Sequence, residues 1–102
     1  MIYTDEIINN PVKLSHYLIE NRVKNNIRAC DMTAGNGNDS KFILDKKNPK
    51  ILYAFDIQKL SQERCEKLIG QRDNFKFILD DHKNIEKYIE EKIDLFIYNL
   101  GF

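Results

Sequence analysis

The residues of this chain best suited to chemistry form one run, Asp31-Met32-Thr33-Ala34-Gly35-Asn36-Gly37-Asn38-Asp39-Ser40. Two glycines separated by a single residue, between an apolar segment and a helical one, describe a tight turn entering a helix. Gly35 permits the turn, and Gly37 is expected to let the backbone come close to a ligand. The helix that follows offers unpaired N–H groups and the positive end of its dipole. Alone, such a turn indicates only a nucleotide-like ligand. Ser40 stands where the dinucleotide fingerprint places a third glycine or alanine, which speaks against a pyrophosphate. Asp31, the last residue before the loop, could engage a cationic group such as a methionine ammonium; alternatively, Asp31 and Asp39 merely cap the turn.

Three further groups sit at the same kind of position. Asp56 follows an apolar run and lies 19 residues beyond Gly37. A carboxylate there can accept both ribose hydroxyls, whichever adenosine cofactor carries them. Asp80-Asp81-His82 follows a third apolar run, where a carboxylate could accept an adenine amino group and His82 could serve as a base. The same residues could equally be a capped helix start. Tyr98-Asn99-Leu100-Gly101-Phe102 ends a fourth run with an amide, a flexible glycine and an aromatic. The Asn99 side-chain oxygen and the Leu100 carbonyl could orient a target amine while Phe102 packs against it, so that catalysis would rest on positioning. A plain strand-end turn accounts for that segment as well.

The elements that must hold these groups alternate along the chain. Asn10-Pro11 starts a helix that runs to about Lys24, with Val12, Tyr17, Leu18 and Val23 as its apolar stripe. Asn25-Asn26 breaks it. Ile27 to Cys30 is a short strand, and Thr33–Asn38 is the loop. A helix follows from Asp39 to about Lys47, with Phe42 and Ile43 facing inward. Asn48-Pro49 makes the next turn, and Ile51 to Phe55 reads as a buried parallel strand. A helix from Gln58 to Ile69 places Leu60, Cys65, Leu68 and Ile69 on one side, with Gly70 as its C-cap. Phe75–Leu79 is the third strand. Asp80 or Asp81 caps a helix containing Ile85, Tyr88 and Ile89, and Asp94 to Tyr98 is the fourth strand. Strands alternating with helices imply βαβ units and a parallel sheet with right-handed crossovers. The expected fold is one α/β domain over 1–102, in three layers.

Composition narrows the partners. The net charge is zero with 31% charged residues, so the broad basic face of an autonomous nucleic-acid binder is missing. Cys30 and Cys65 lie 35 positions apart and read as small buried hydrophobes rather than a redox or metal pair. No apolar run approaches the roughly 20 residues of a membrane span, and the N-terminus lacks the order of a signal peptide. A cytoplasmic location without membrane contact or metal is therefore expected.

Taken together, these residues resemble the putative rRNA methylase family of class I S-adenosylmethionine (SAM)-dependent methyltransferases. Some members of that family methylate the aminomethyl group of a tRNA wobble uridine. The resemblance rests on Asp31 to Asp39, on Phe55-Asp56-Ile57-Gln58, on Asp80 and His82 with Asn84, and on Asn99-Leu100-Gly101-Phe102. It implies a Rossmann-like sheet, SAM as cofactor and N-methylation of RNA, either tRNA or rRNA. Asp31, Gly35 and Gly37 would shape the methionine side of the pocket, and Thr33, Asn36 and Asp39 of the same run would also bind the cofactor. Asp56 and Gln58 would hold the ribose end, Asp80 and His82 would lie near the adenine, and Asn99 with Phe102 would face the amine. The family continues beyond the Asn-Leu-Gly-aromatic motif with further strands, whereas this sequence stops at Phe102. A truncated fold is therefore expected, with an exposed fourth-strand edge that invites self-association or a partner chain. The rival readings are a non-catalytic SAM-binding fragment and an NAD-dependent oxidoreductase, the latter disfavoured by Ser40 and the terminal motif.

Overall fold

The computed structural model describes the backbone of residues 11–98 and side chains from residue 16 onward. Its elements are α1 (Pro11–Arg22), β1 (Arg28–Asp31), α2 (Asn38–Lys47), β2 (Ile51–Asp56), α3 (Lys59–Ile69), β3 (Phe75–Leu79), a 3-10 helix (His82–Lys87) and β4 (Leu95–Ile97). The strands form a four-stranded, all-parallel sheet in the order β3-β2-β1-β4. The chain steps outward from β1 to β3, then returns to lay β4 on the far side of β1. That reversal makes the carboxyl end of β1 the switch point of the sheet, where an open α/β sheet leaves a crevice.

Strand alternation divides the core into two. Ala29, Leu52 and Ala54 face the helices and pack with Ile19, Ile43, Leu44, Cys65, Ile69 and Ile97. Cys30, Tyr53, Phe55 and Ile78 face the other way and pack with Ile89, Ile85 and Ile93. All three α-helices therefore cover one face, and the 3-10 helix with its flanks covers the other, so the third layer is thin. Asn26 and Asn48 both take left-handed φ, at 58° and 41°, which Asn tolerates better than most residues. They end the two segments at the breaks expected from the sequence. Gly70 caps α3, its N–H donating to the Glu66 carbonyl at 2.9 Å.

Three expectations need correction. Among the described side chains of α1 Ile19 is the buried one, and Leu18 remains 39% exposed; with Tyr17, Leu18 and Ile19 consecutive, periodicity alone does not set the phase. On α3 the buried line is Ser61, Cys65 and Ile69, while Leu60 and Leu68 are 51% and 40% exposed. The inner face of α3 runs against the Gly35–Gly37 turn, where only small side chains fit. The helix after β3, capped by Asp81 through the Lys83 N–H, is a 3-10 helix that ends at Lys87, so Tyr88 and Ile89 lie beyond it, while Asp80 accepts from Asn84 and Tyr88. The Asn10 cap and the Val12 side chain lie outside the described residues. Among the described residues no helix is long and apolar enough to cross a membrane.

Leu52→Ala should destabilise the domain by about 2–5 kcal/mol, the cost of a cavity in a closed core. Leu60→Ala should change it by less than about 1 kcal/mol. Urea unfolding of both variants checks the assignment of the α3 face.

Candidate cofactor site

Asp31 ends β1 on the helix-facing side of the sheet, so its carboxylate runs beneath the first turn of α2. There it is fully buried. Oδ2 accepts from Ser40 Oγ at 2.8 Å and Oδ1 from the Thr33 N–H at 3.2 Å. Burial pushes this carboxyl up to about 6; the two hydrogen bonds oppose the rise, and the neighbouring charges of Asp39 and Asp56 add to it. Asp31 thus acts on the loop from inside rather than standing open to a ligand. Ser40, in sequence only a departure from the dinucleotide pattern, is its buried partner. A hydroxyl nine residues after an acid carries no local signal; the pair exists because the helix lies over the strand.

The two glycines differ in what they permit. Gly37 caps α2 with φ 88°, and a Cβ there would stand 3.0 Å from Cys65 Sγ and 3.3 Å from Cys65 Cα. The close approach expected toward a ligand is therefore an approach to α3. Gly35 has φ 56° and open space where a side chain would be. Its N–H donates to Asp56 Oδ2 at 3.0 Å, and its carbonyl accepts from Ser61 Oγ. The other Asp56 oxygen accepts from the Gln58 N–H at 3.0 Å. One carboxylate thereby joins the loop after β1 to the loop after β2.

Between the ends of β1, β2 and β3 lies an open cleft of about 190 Å³, lined by Met32, Thr33, Phe55, Asp56, Ile57, Asp80, Asp81 and His82. Ile57 is 69% exposed at its rim. The walls are apolar and the rim is acidic, which suits the flat faces of a base and the hydroxyls of a sugar. Within the rim, Asp80 is already occupied. Its oxygens accept from Tyr88 Oη at 2.6 Å, Asn84 Nδ2 at 2.9 Å and the Asp81 N–H at 2.6 Å, and these bonds hold its carboxyl below the usual range. His82 is edge-on to Tyr98, ring centroids 5.2 Å apart. A larger hollow of about 730 Å³, around Gly70–Asp73 and Phe75, lies at the opposite ends of the strands, away from Asp31, Asp56 and Asp80.

Other expected residues are dispersed. The Asn36 side chain accepts from Arg64 at 3.0 Å on the surface. Gln58 caps α3 and is exposed, and its contribution to the site is its backbone N–H. Asp39, in the first turn of α2, meets His16 Nε2 at 2.7 Å. Asn99 and Phe102 lie outside the described residues. Both cysteines are buried and free, with burial pushing Cys30 up to about 12 and Cys65 up to about 11.

Residues 52–102 match the family described as "Putative rRNA methylase". The chain belongs to this family. Its fold also overlays solved structures over nearly its whole length. A putative methyltransferase from Streptococcus mutans, solved in complex with SAH, is 36% identical with a TM-score of 0.80, covering 100% of this chain and 55% of the other. An rRNA methylase from Streptococcus thermophilus is 32% identical, TM-score 0.79, over 90% and 55%. A putative rRNA methylase from Clostridium thermocellum is 29% identical, TM-score 0.82, over 100% and 54%. This rRNA methylase family member therefore spans about half the length of these relatives, and its four-stranded parallel sheet corresponds to that half of the methyltransferase fold.

The buried acid has a pH signature. Its ordinary value is 3.8 and its folded value about 6, so the native state holds the proton more tightly than the unfolded chain. The stability this contributes is complete below about pH 3.8 and is lost as pH rises through about 6, an amplitude on the order of 3 kcal/mol. Asp31→Asn should flatten that slope in unfolding measurements between pH 4 and 8. Gly37→Ala should cost at least about 1 kcal/mol from the left-handed φ alone, read by the same measurement.

Proposed function

We propose that this chain is the cofactor-binding part of a SAM-dependent RNA methyltransferase that methylates a nitrogen. The observation that carries the reading is the Asp56 carboxylate, which joins the Gly35 turn to the β2 loop at the mouth of the cleft. The Streptococcus mutans relative with SAH supports the same class of ligand.

The residues present fit such a cofactor. Each Asp56 oxygen accepts one backbone N–H, and a carboxylate oxygen has capacity for a second donor, so ribose hydroxyls can be added without breaking the staple. Met32, Phe55 and Ile57 offer apolar contact to a base. Because Asp80 already accepts three hydrogen bonds, Asp81 is the better acceptor for an adenine amino group. His82 forms the side wall toward Tyr98. Asp31, Ser40 and Thr33 hold the loop on which the methionine end would rest.

Bound SAM supplies a methyl group on a sulfonium, open to in-line displacement by an amine lone pair. For that reaction the chain needs to position the amine, and Asn99 with Phe102, directly after Tyr98, are the residues to which we assign this task. The substrate we favour is RNA, a tRNA wobble aminomethyl-uridine or an rRNA base. The exposed edge of β4, with Phe96 and Tyr98 54% and 55% exposed, is the surface on which we expect the remaining strands of the fold to pack, in the same chain or another. Full catalysis would require them, and without them the chain would bind SAM only.

NAD is the weaker alternative. Asp56 would serve its ribose equally well, but Ser40, buried against Asp31, stands where a dinucleotide turn has its third glycine or alanine.

Isothermal titration should show SAM binding and no NAD binding. Asp56→Ala should weaken SAM by about 10-fold or more, the loss of hydrogen bonds to a charged group. NAD binding without SAM binding would overturn the assignment. Methyl transfer to tRNA that carries the wobble aminomethyl group without its methyl, and to rRNA, with the remaining half of the fold supplied, tests the substrate.

A further inference from the structure

One cluster ties α1, none of whose described residues lines the cleft, to the first turn of α2. His16, on α1, lies flat against Phe42 of α2, with ring centroids 4.0 Å apart and planes at 11°. Its Nε2 meets Asp39 Oδ1 at 2.7 Å. The two side chains keep only 23% and 13% exposure. At the other end of α2, Lys47 Nζ donates to the Glu20 carbonyl at 2.6 Å. Two polar tethers, one at each end of α2, therefore fix the angle at which α1 lies across it, with Ile19 in the shared core between them.

We propose that His16 is a positioning residue for SAM: through Asp39 it clasps α1 to the cofactor turn and holds that turn in its binding conformation. The proposal rests on the reading that the Asp31–Asp39 turn takes SAM.

The physical case has two parts. Asp39 occupies the first turn of α2, where a carboxylate is drawn to the free N–H groups and positive dipole end of the helix. Those are the groups a ligand's own carboxylate would use. An imidazole N–H that engages Asp39 from the α1 side leaves them less contested. The second part concerns crowding. Asp39 and Asp56 both act on buried Asp31 in the unfavourable sense, so the turn concentrates like charge. A donor that fixes one of these carboxylates limits how the turn can relax away from its ordered shape. The stack on Phe42 and the hydrogen bond to Asp39 are separable functions of one ring, and that makes the idea testable.

His16→Phe keeps an aromatic ring on Phe42 and removes the donor; His16→Gln restores an N–H donor without the ring. Both are made in the 102-residue chain and compared by thermal unfolding, by amide hydrogen exchange over residues 33–41 without ligand, and by titration with SAM. The expected result for His16→Phe is a nearly unchanged melting temperature, faster exchange in 33–41, and a Kd for SAM raised about 5- to 10-fold. His16→Gln should recover most of the exchange protection and affinity. Wild-type exchange and Kd in His16→Phe would overturn the proposal. So would losses in both variants that merely follow melting temperature, since His16 would then be ordinary packing. Absence of SAM binding by the wild-type chain would instead overturn the reading of the site; the exchange comparison needs no ligand and separates the two failures.

Discussion

A carboxylate taken out of water must find hydrogen-bond donors, and the rest of this site depends on how Asp31 finds them. Its position on the helix-facing side of β1 leaves it no route to solvent. The donors come from Ser40 on α2 and from the Thr33 N–H in the loop between. Satisfying that one group fixes the entry of the loop, the height of α2 over the sheet and the course of the backbone through Gly35 and Gly37. A buried acid of this kind is costly to leave half-satisfied. The turn therefore has one good conformation and few alternatives.

From that constraint the other contacts follow in order. With α2 seated, Gly37 comes so close to α3 that a Cβ there would crowd Cys65. With the turn held against α3, Ser61 reaches the Gly35 carbonyl and Asp56 reaches the Gly35 N–H. The small residues on the inner face of α3 thus have the same origin as the glycines: three backbone segments converge at the carboxyl ends of β1 and β2. The cleft opens at the margin of this packed region, where Met32, Phe55 and Ile57 meet the rim of acids. Convergence supplies rigidity, and the margin supplies room for a base and sugar.

Three acids around one turn give three environments. Asp31 is sealed and raised toward neutrality by burial. Asp39 is engaged from the side by His16, and Asp56 holds two backbone N–H groups from two loops. Asp80 repeats the pattern on the opposite face, gathering its own donors to shape the 3-10 helix. Of the three acids around the turn, Asp56 combines fixed geometry with a place at the mouth of the cleft, which is why it carries the functional reading.

Much of this was legible in the order of residues. Apolar runs separated by Asn, Gly and Pro signals are local properties, and they determined the succession of strands and helices. The position of Asp31, Asp56 and Asp80 at strand ends followed from the same runs, so sequence alone placed the acids at one edge of a parallel sheet. What each acid does there could not be read locally. Whether Asp31 faces a ligand or a helix depends on which side of β1 is covered, and the bond from Tyr88, eight residues on, to Asp80 is not visible in the run that ends at Asp80. The phase of α1 and α3, the partnership of Asp31 with Ser40 and the clasp of His16 on Asp39 are contacts between elements. Only the packing of helices on the sheet decided them, because burial and hydrogen bonding are properties of the assembled neighbourhood and not of the chain taken residue by residue.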